Sequence, residues 1–341
     1  MTVKMIFVIG APRSGTTMLE RMLAAHSQIQ GGPEPHLITP LAHLGVWAKV
    51  DKAPYDHILA AEAQQLFVAQ LPKGEEDYWE ACRTYCDVLY GRYLQAKGDK
   101  PYCLDKTPAY ALVLPFLARI YPDAAFIVLT RHPLAIFSSF ANSFFDGDYR
   151  EAHTYNPVIE RYVPAMAAFL REAEPPKLHV RYEDLVRNPE TWFEKICLHI
   201  GVPYEPQAIE YGKAGEDAAR PKQGLGDPIG VNSHSAPTTK SIKKWVAEVA
   251  SDSAKLSLAK QIIAAVHPDD LALLGYPVET LWKPLEEAEG TVRAPKPPSL
   301  TRYRLERKMI MGLRGLAQRN RPFRKALEKA RLACDVLLRE T

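Results

Sequence analysis

The sequence predicts an α/β fold: a parallel β-sheet flanked by helices on both faces, with a helical C-terminal extension. Three observations lead there. Short, nearly uninterrupted apolar runs recur at residues 3–9, 124–130 and 178–182, which is how strands buried on both faces read. A stretch of helical character follows each run, so strands and helices alternate as they do in parallel sheets. The first run passes into its helix through a loop carrying Gly10 and Gly15, the kind of junction in which backbone amides converge on one point.

Taken in order, residues 3–9 form the first strand and residues 16–26 the first helix. Residues 56–71 and 77–96 read as helices, and AAFIVLT at 124–130 is the second apolar strand, continued by RHPLAIFSSFANSFF. LHVRY at 178–182 is the third, followed by one helix over residues 184–200 that Gly201 stops. Residues 215–237 are polar and rich in Gly, Pro and Ser. A segment that long is either an active-site loop or a disordered one. Residues 286–299 have linker composition, and residues 300–339 resume as basic helix broken near Pro322. The expected organisation is therefore a domain over 1–285, a linker over 286–299 and a basic helical extension over 300–341.

A chain of 341 residues, 47% hydrophobic and 24% charged, is large enough to bury one sizeable core. Its net charge of +3 is too small to announce nucleic-acid binding. The charge is unevenly spread, because residues 299–341 hold twelve Lys/Arg against four Asp/Glu and leave about −5 on the rest. Five scattered cysteines without a CxxC or His/Cys ligand pattern predict buried free thiols in a reducing compartment. No leader pattern and no apolar window of membrane length is present in the sequence, so the expected location is the cytoplasm.

FVIGAPRSGTTMLERML, residues 7–23, has the glycine spacing of a nucleoside-triphosphatase loop, yet Thr16 stands where that loop needs lysine. Arg13 supplies a cation, and Ser14, Thr16 and Thr17 supply hydroxyl donors beside the amides of Gly15 and its neighbours. The second apolar strand ends in Arg131 rather than an aspartate that would help hold magnesium. Arg131 is suited to bidentate contact with a phosphate, and Ser139 lies eight residues on, about two helical turns away. Two anion-binding corners on adjacent strand ends imply a nucleotide phosphorylated at both ends.

With these two elements the chain resembles the sulfotransferases that use 3′-phosphoadenosine 5′-phosphosulfate (PAPS) and release adenosine 3′,5′-bisphosphate (PAP). PRSGTT is similar to their 5′-phosphosulfate loop, and Arg131 with Ser139 to their 3′-phosphate site. The resemblance covers roughly residues 3–245 and implies a P-loop-like fold, PAPS as co-substrate and no metal. It extends to DKTPAY, where Lys106 takes the position of a lysine that contacts the sulfuryl group. In RYEDLVRNP, Tyr182 takes the position of a tyrosine near the adenine. In TKSIKKW, Lys244 is the best-matched basic residue of a segment closing over the 3′-phosphate.

Sulfuryl transfer needs a base for the acceptor hydroxyl and cations facing the leaving phosphate oxygen. Arg13 and Lys106 are the natural cations. For the base, Glu34 in GGPEPHL lies twenty-one residues after Arg13, the offset at which tyrosyl-protein sulfotransferases resemble this chain; bacterial polyketide-associated members carry a similar P-E-x-H-L stretch. His234, in the loop before the K-W segment, ranks second and His36 third. Pro108 occupies the place of the histidine used by the phenol-type enzymes, which argues against their base. His36, Phe144, Phe145 and Tyr149 are expected to contact the acceptor, with Tyr155 near them.

The leading expectation is a metal-independent enzyme acting on a hydroxyl of a small-molecule or carrier-bound acceptor, as in natural-product biosynthesis. Sulfation of a carbohydrate or a protein tyrosine is the alternative, and a kinase with a degenerate loop a more remote one. A non-catalytic nucleotide-binding protein is the third class. The basic tail has three open readings: it docks an acidic partner, lies on a membrane surface or packs on a second subunit.

Overall fold

The computed structural model describes residues 3–32, 34–44, 46–47, 57–212, 235–288 and 319–337. The chain divides into two units, Met1–Ala294 and Pro295–Thr341.

In the first unit, strands β1 (Lys4–Ile9), β2 (Ile29–Gln30), β3 (Tyr102–Asp105), β4 (Ala125–Thr130) and β5 (Lys177–Arg181) form one sheet in the order β2-β3-β1-β4-β5. Every pairing is parallel, with Phe7 opposite Asp105 on one side and Phe126 on the other. From β1 the chain runs to the edge strand β2, returns to place β3 between the two, and then crosses at β4 to the other side of β1. That reversal opens a crevice beyond the C-terminal strand ends, where ligands bind in open α/β sheets. Consequently the loop after β1, Lys106 after β3, Arg131 after β4 and Tyr182 after β5 all emerge at one edge.

Alternation along β1 serves both faces, as the strand period of two requires. Ile6 and Val8 join Leu19, Met22, Phe193 and Ile196 in one buried cluster. Phe7 packs on the opposite side against Tyr121 and Phe126, with ring centroids 5.2 and 5.5 Å away.

Two strands escaped the sequence reading. β2 has two residues and β3 four, too short for any period to show, and both exist because neighbouring strands pair with them. The single helix expected over 184–200 is in fact two, Tyr182–Arg187 and Pro189–Ile200. Pro189 lacks the N–H that a continuing helix needs and pushes Asn188 to φ −134°, ψ 63°, but it fits as the first residue of the second helix. Tyr182 opens the first of these helices, because β5 ends at Arg181.

Cys82, Cys86, Cys103 and Cys197 are buried free thiols. Burial pushes the thiols of Cys86 and Cys103 up to about 12 and that of Cys197 to about 11, so almost no thiolate is present at neutral pH. A Cys334→Ser variant, which removes the one cysteine whose side chain is not described, is expected to react with Ellman's reagent at pH 8 only after denaturant is added. Stoichiometric labelling of the native protein would contradict this.

In the second unit the helix Arg321–Leu337 carries Pro322 at its second position, where proline is tolerated. Residues 300–318 lie outside the described part. No described helix is long and apolar enough to cross a membrane.

Candidate active site

The loop after β1 is shaped by two glycines. Gly15 has φ 101° and caps the helix Thr16–Ala24 in the left-handed region, and a Cβ there would lie 2.5 Å from the Tyr182 ring. A Cβ on Gly10 would meet the Ser14 hydroxyl at 2.6 Å and the Leu129 carbonyl at 2.8 Å. Ser14 is wholly buried within the loop, and its hydroxyl has no hydrogen-bond partner. Arg13, also in the left-handed region at φ 71°, donates from Nε to the Ser139 hydroxyl at 3.2 Å. The two anion-binding corners read from the sequence thus touch directly.

Gly15→Ala combines left-handed strain with a clash against an aromatic ring. It is expected to cost about 1–3 kcal/mol of stability and to weaken nucleotide binding at least tenfold, as thermal melts and calorimetric titration with PAP would read.

Arg131 starts where β4 ends and is used as a structural clamp as well as a cation. It donates to the carbonyls of Arg13 (2.9 Å) and Ser241 (2.8 Å), and its guanidinium lies 4.5 Å from the centre of the Tyr182 ring. Nε is buried and makes no hydrogen bond. Burial, reinforced by the neighbouring Arg13 charge, lowers its pKa below the ordinary arginine value. Behind it, the buried His132 ring stacks on Trp245 at 4.5 Å, and Glu183 accepts from the His132 backbone N–H and from Tyr276. Burial holds the His132 imidazole down at about 4. This packing seats the start of the helix Lys244–Ala250, so that Lys244 borders the cavity with an exposed side chain.

On the other side of β1, Lys106 follows β3 and is buried, with its ammonium in a close ion pair with Glu34. His36, at φ 52°, places Nε2 3.5 Å from the second Glu34 oxygen. Glu20, on the first helix, feels both members of this pair; burial raises its carboxyl to about 7, against the lowering effects of Lys106 and Arg21. A carboxyl with a raised folded-state pKa stabilises the fold below its unfolded value and loses that contribution as pH rises toward 7. Glu20→Gln is therefore expected to stabilise the protein by about 1–3 kcal/mol at pH 8 and by much less at pH 5, as melting curves at the two pH values would show.

One cavity of about 820 Å³ is bordered by Arg13, Gly15, Thr16, Thr17, Glu34, His36, Arg131, Ser139, Tyr182 and Lys244. Its wall also includes Phe144 but neither Phe145 nor Tyr149. Those two, expected as acceptor contacts, pack away from this cavity. Tyr149 is buried and its hydroxyl donates to Glu248 at 3.3 Å, while Phe145 packs on Phe140 and Tyr155. The helix Pro133–Phe144 ends before them. His234 lies outside the described residues.

Sequence reasoning overlooked Asp105, Glu20 and Tyr110. Asp105 adjoins Lys106, its only signal in the sequence; no motif marks Glu20. Among the described residues no group of three or more His, Cys, Asp and Glu is arranged to hold a metal ion. The residues do fit a nucleotide bearing two phosphate groups. The orphan Ser14 hydroxyl and Arg131 Nε are donors awaiting acceptors, and the glycines admit close approach of a ligand to the backbone.

Comparison with known proteins agrees with the geometry. The model of the sulfotransferase family matches residues 5–206. Nodulation protein NoeE of Sinorhizobium fredii is 31% identical over 224 residues, 60% of this chain and 51% of NoeE, so the chain spans about half the length of that relative. Protein-tyrosine sulfotransferase 1 of Danio rerio is 28% identical over 295 residues, covering 80% and 72% of the two chains. Among solved structures, the sulfotransferase domain of the Synechococcus PCC 7002 olefin synthase is 25% identical with a TM-score of 0.48, over 71% of this chain and 86% of that one. Because the family match spans more than half of its residues, from β1 past β5, the chain belongs to the sulfotransferase family.

Proposed function

We propose that the protein transfers a sulfuryl group from PAPS to a hydroxyl of a small-molecule or carrier-bound acceptor and releases PAP. The observation that carries this reading is that Glu34, paired with Lys106, borders the same cavity as Arg13, Gly15 and Arg131. A carboxylate able to take a proton and a cluster of cations able to hold phosphate meet in one space.

On this reading the glycine loop with Arg13, Ser14, Thr16 and Thr17 holds the 5′ end of the donor. Arg131, Ser139 and Lys244 hold the 3′-phosphate, and Tyr182 lies near the base. When bound, the donor supplies a sulfur electrophile whose leaving group is a phosphate oxygen. Glu34 takes the proton of the acceptor hydroxyl as its oxygen bonds to sulfur. The bond between sulfur and the bridging oxygen breaks, and its electron pair stays on the phosphate. Arg13 and Lys106 stabilise that charge; each such donor is worth about two to three decades of rate. The acceptor enters past Phe144 and His36.

A protein tyrosine as acceptor is the second reading, favoured by the similarity to the Danio rerio enzyme over most of both chains. The test is a magnesium-free assay with labelled PAPS against alcohols, phenols, sugars, a carrier-bound hydroxyl and a tyrosine peptide. Transfer to one class is expected, with EDTA without effect. No transfer to any acceptor, together with no binding of PAP, would overturn the proposal, and transfer only in the presence of magnesium and a nucleoside triphosphate would favour the kinase class.

A further inference from the structure

We infer that Asp105 and Tyr110 are positioning residues that hold Glu34 against Lys106 by tying the segment carrying Glu34 to the end of β3. The inference rests on the proposed role of Glu34 and adds to it the part of the molecule that sets its place.

The connection is a closed ring. Asp105, the last residue of β3, is buried, and its carboxylate accepts three hydroxyl hydrogen bonds: from Tyr90 at 2.5 Å, Tyr110 at 3.0 Å and Thr107 at 2.9 Å. The Tyr110 hydroxyl in turn accepts from the backbone N–H of Ile38 at 3.2 Å. A carboxylate can only accept and an amide N–H can only donate, so the hydroxyl between them has one possible orientation. Tyr110 and Ile38 are fully buried, and so is Thr107. Ile38 stands four residues after Glu34 and two after His36. Lys106, the residue after Asp105, completes the ring by its ion pair with Glu34. At its other end the same segment is held where Tyr93 donates to the Gly31 carbonyl at 2.9 Å.

The chemistry of Asp105 suits this role better than simple core filling. Burial raises its carboxyl to about 6 in spite of the three hydroxyl donors and the Lys106 charge. An apolar residue would fill the space without that cost, but it would not orient two tyrosines and a threonine. Of the three donors, Tyr110 alone passes the constraint on to the segment of Glu34. Tyr90, on the long helix Glu75–Ala96, stops at the carboxylate.

That difference supplies the test. Tyr110→Phe, Tyr90→Phe and Asp105→Asn are compared with Glu34→Gln, using full-length protein and the acceptor found in the panel. Tyr110→Phe is expected to lower kcat ten- to a hundredfold while leaving the Kd for PAP within about twofold. Tyr90→Phe, which loosens Asp105 without touching Ile38, is expected to stay within about threefold in kcat at a comparable loss of Tm. In the Glu34→Gln background Tyr110→Phe is expected to add less than about twofold, because both act through one group. Asp105→Asn gives a second reading of the tie should Tyr110→Phe fold poorly; hydrogen exchange in a peptide covering residues 34–44 is expected to rise in it, with no change around the PAP site. The inference is overturned if Tyr110→Phe keeps wild-type kcat, if its effect multiplies fully with that of Glu34→Gln, or if Tyr90→Phe costs as much. Wild-type kcat in Glu34→Gln itself would overturn both the inference and the assignment of the base, whereas an impaired Glu34→Gln beside an unimpaired Tyr110→Phe would overturn the inference alone.

Discussion

Glu34→Gln is expected to lower kcat by about two to four decades, the range a positioned general base contributes, and to leave the affinity for PAP nearly unchanged. Glutamine keeps the shape and still accepts a hydrogen bond from Lys106, so the segment stays in place while the proton acceptor is lost. The expected signature is a loss of kcat with little change in donor KM, which is how removal of a transition-state interaction reads. The measurement is steady-state kinetics with the best acceptor of the panel, alongside calorimetric titration with PAP. Equal losses in kcat and PAP affinity would instead place Glu34 among the nucleotide contacts. Rescue of His234→Ala but not Glu34→Gln by added imidazole would transfer the role of base to the histidine.

Arg131→Lys is expected to weaken PAP binding by about thirty- to a thousandfold, in line with roughly 2–4 kcal/mol for a buried charged donor whose partners are left unpaired. The substitution keeps the charge, so a point cation at the end of β4 would be enough if Arg131 served as nothing more. The structure shows otherwise: one guanidinium spans the carbonyls of Arg13 and Ser241 and lies over the Tyr182 ring. An ammonium cannot make both contacts and stack as well. Two carbonyls beside the cavity would lose their partner, and the loop after β1 would loosen together with the turn before Lys244. The loss is expected in Kd for PAP and in Tm, and a lysine variant with native affinity would show that charge alone suffices.

The elements that were legible in the sequence share a property. β1, β4 and β5 are buried on both faces, so their apolar runs stood out, and the glycine loop and Arg131 adjoin them in the chain. β2 and β3 were not legible because their strand character comes from pairing with neighbours rather than from any pattern of their own. The helix break at Asn188 and Pro189 had a local signal in the proline. In the sequence, Tyr149 and Phe145 have only their aromatic character and their place after the helix that carries Ser139 to recommend them as acceptor contacts. A turn after Phe144 directs them into packing instead, which composition does not reveal.

The sequence by itself determined the α/β class, the family resemblance and the place of the glycine loop and of Arg131 at strand ends, since each depends on short segments whose backbone and side chains act within a few residues. Only the tertiary structure decided that Arg13 meets Ser139, that Arg131 clamps two carbonyls, and that Glu34 lies against Lys106 under the hold of Asp105 and Tyr110. Those contacts join residues far apart in the chain, and they arise because parallel strands bring four separate loops to one edge of the sheet. Their energies depend on burial, which no residue possesses until the fold removes water from around it.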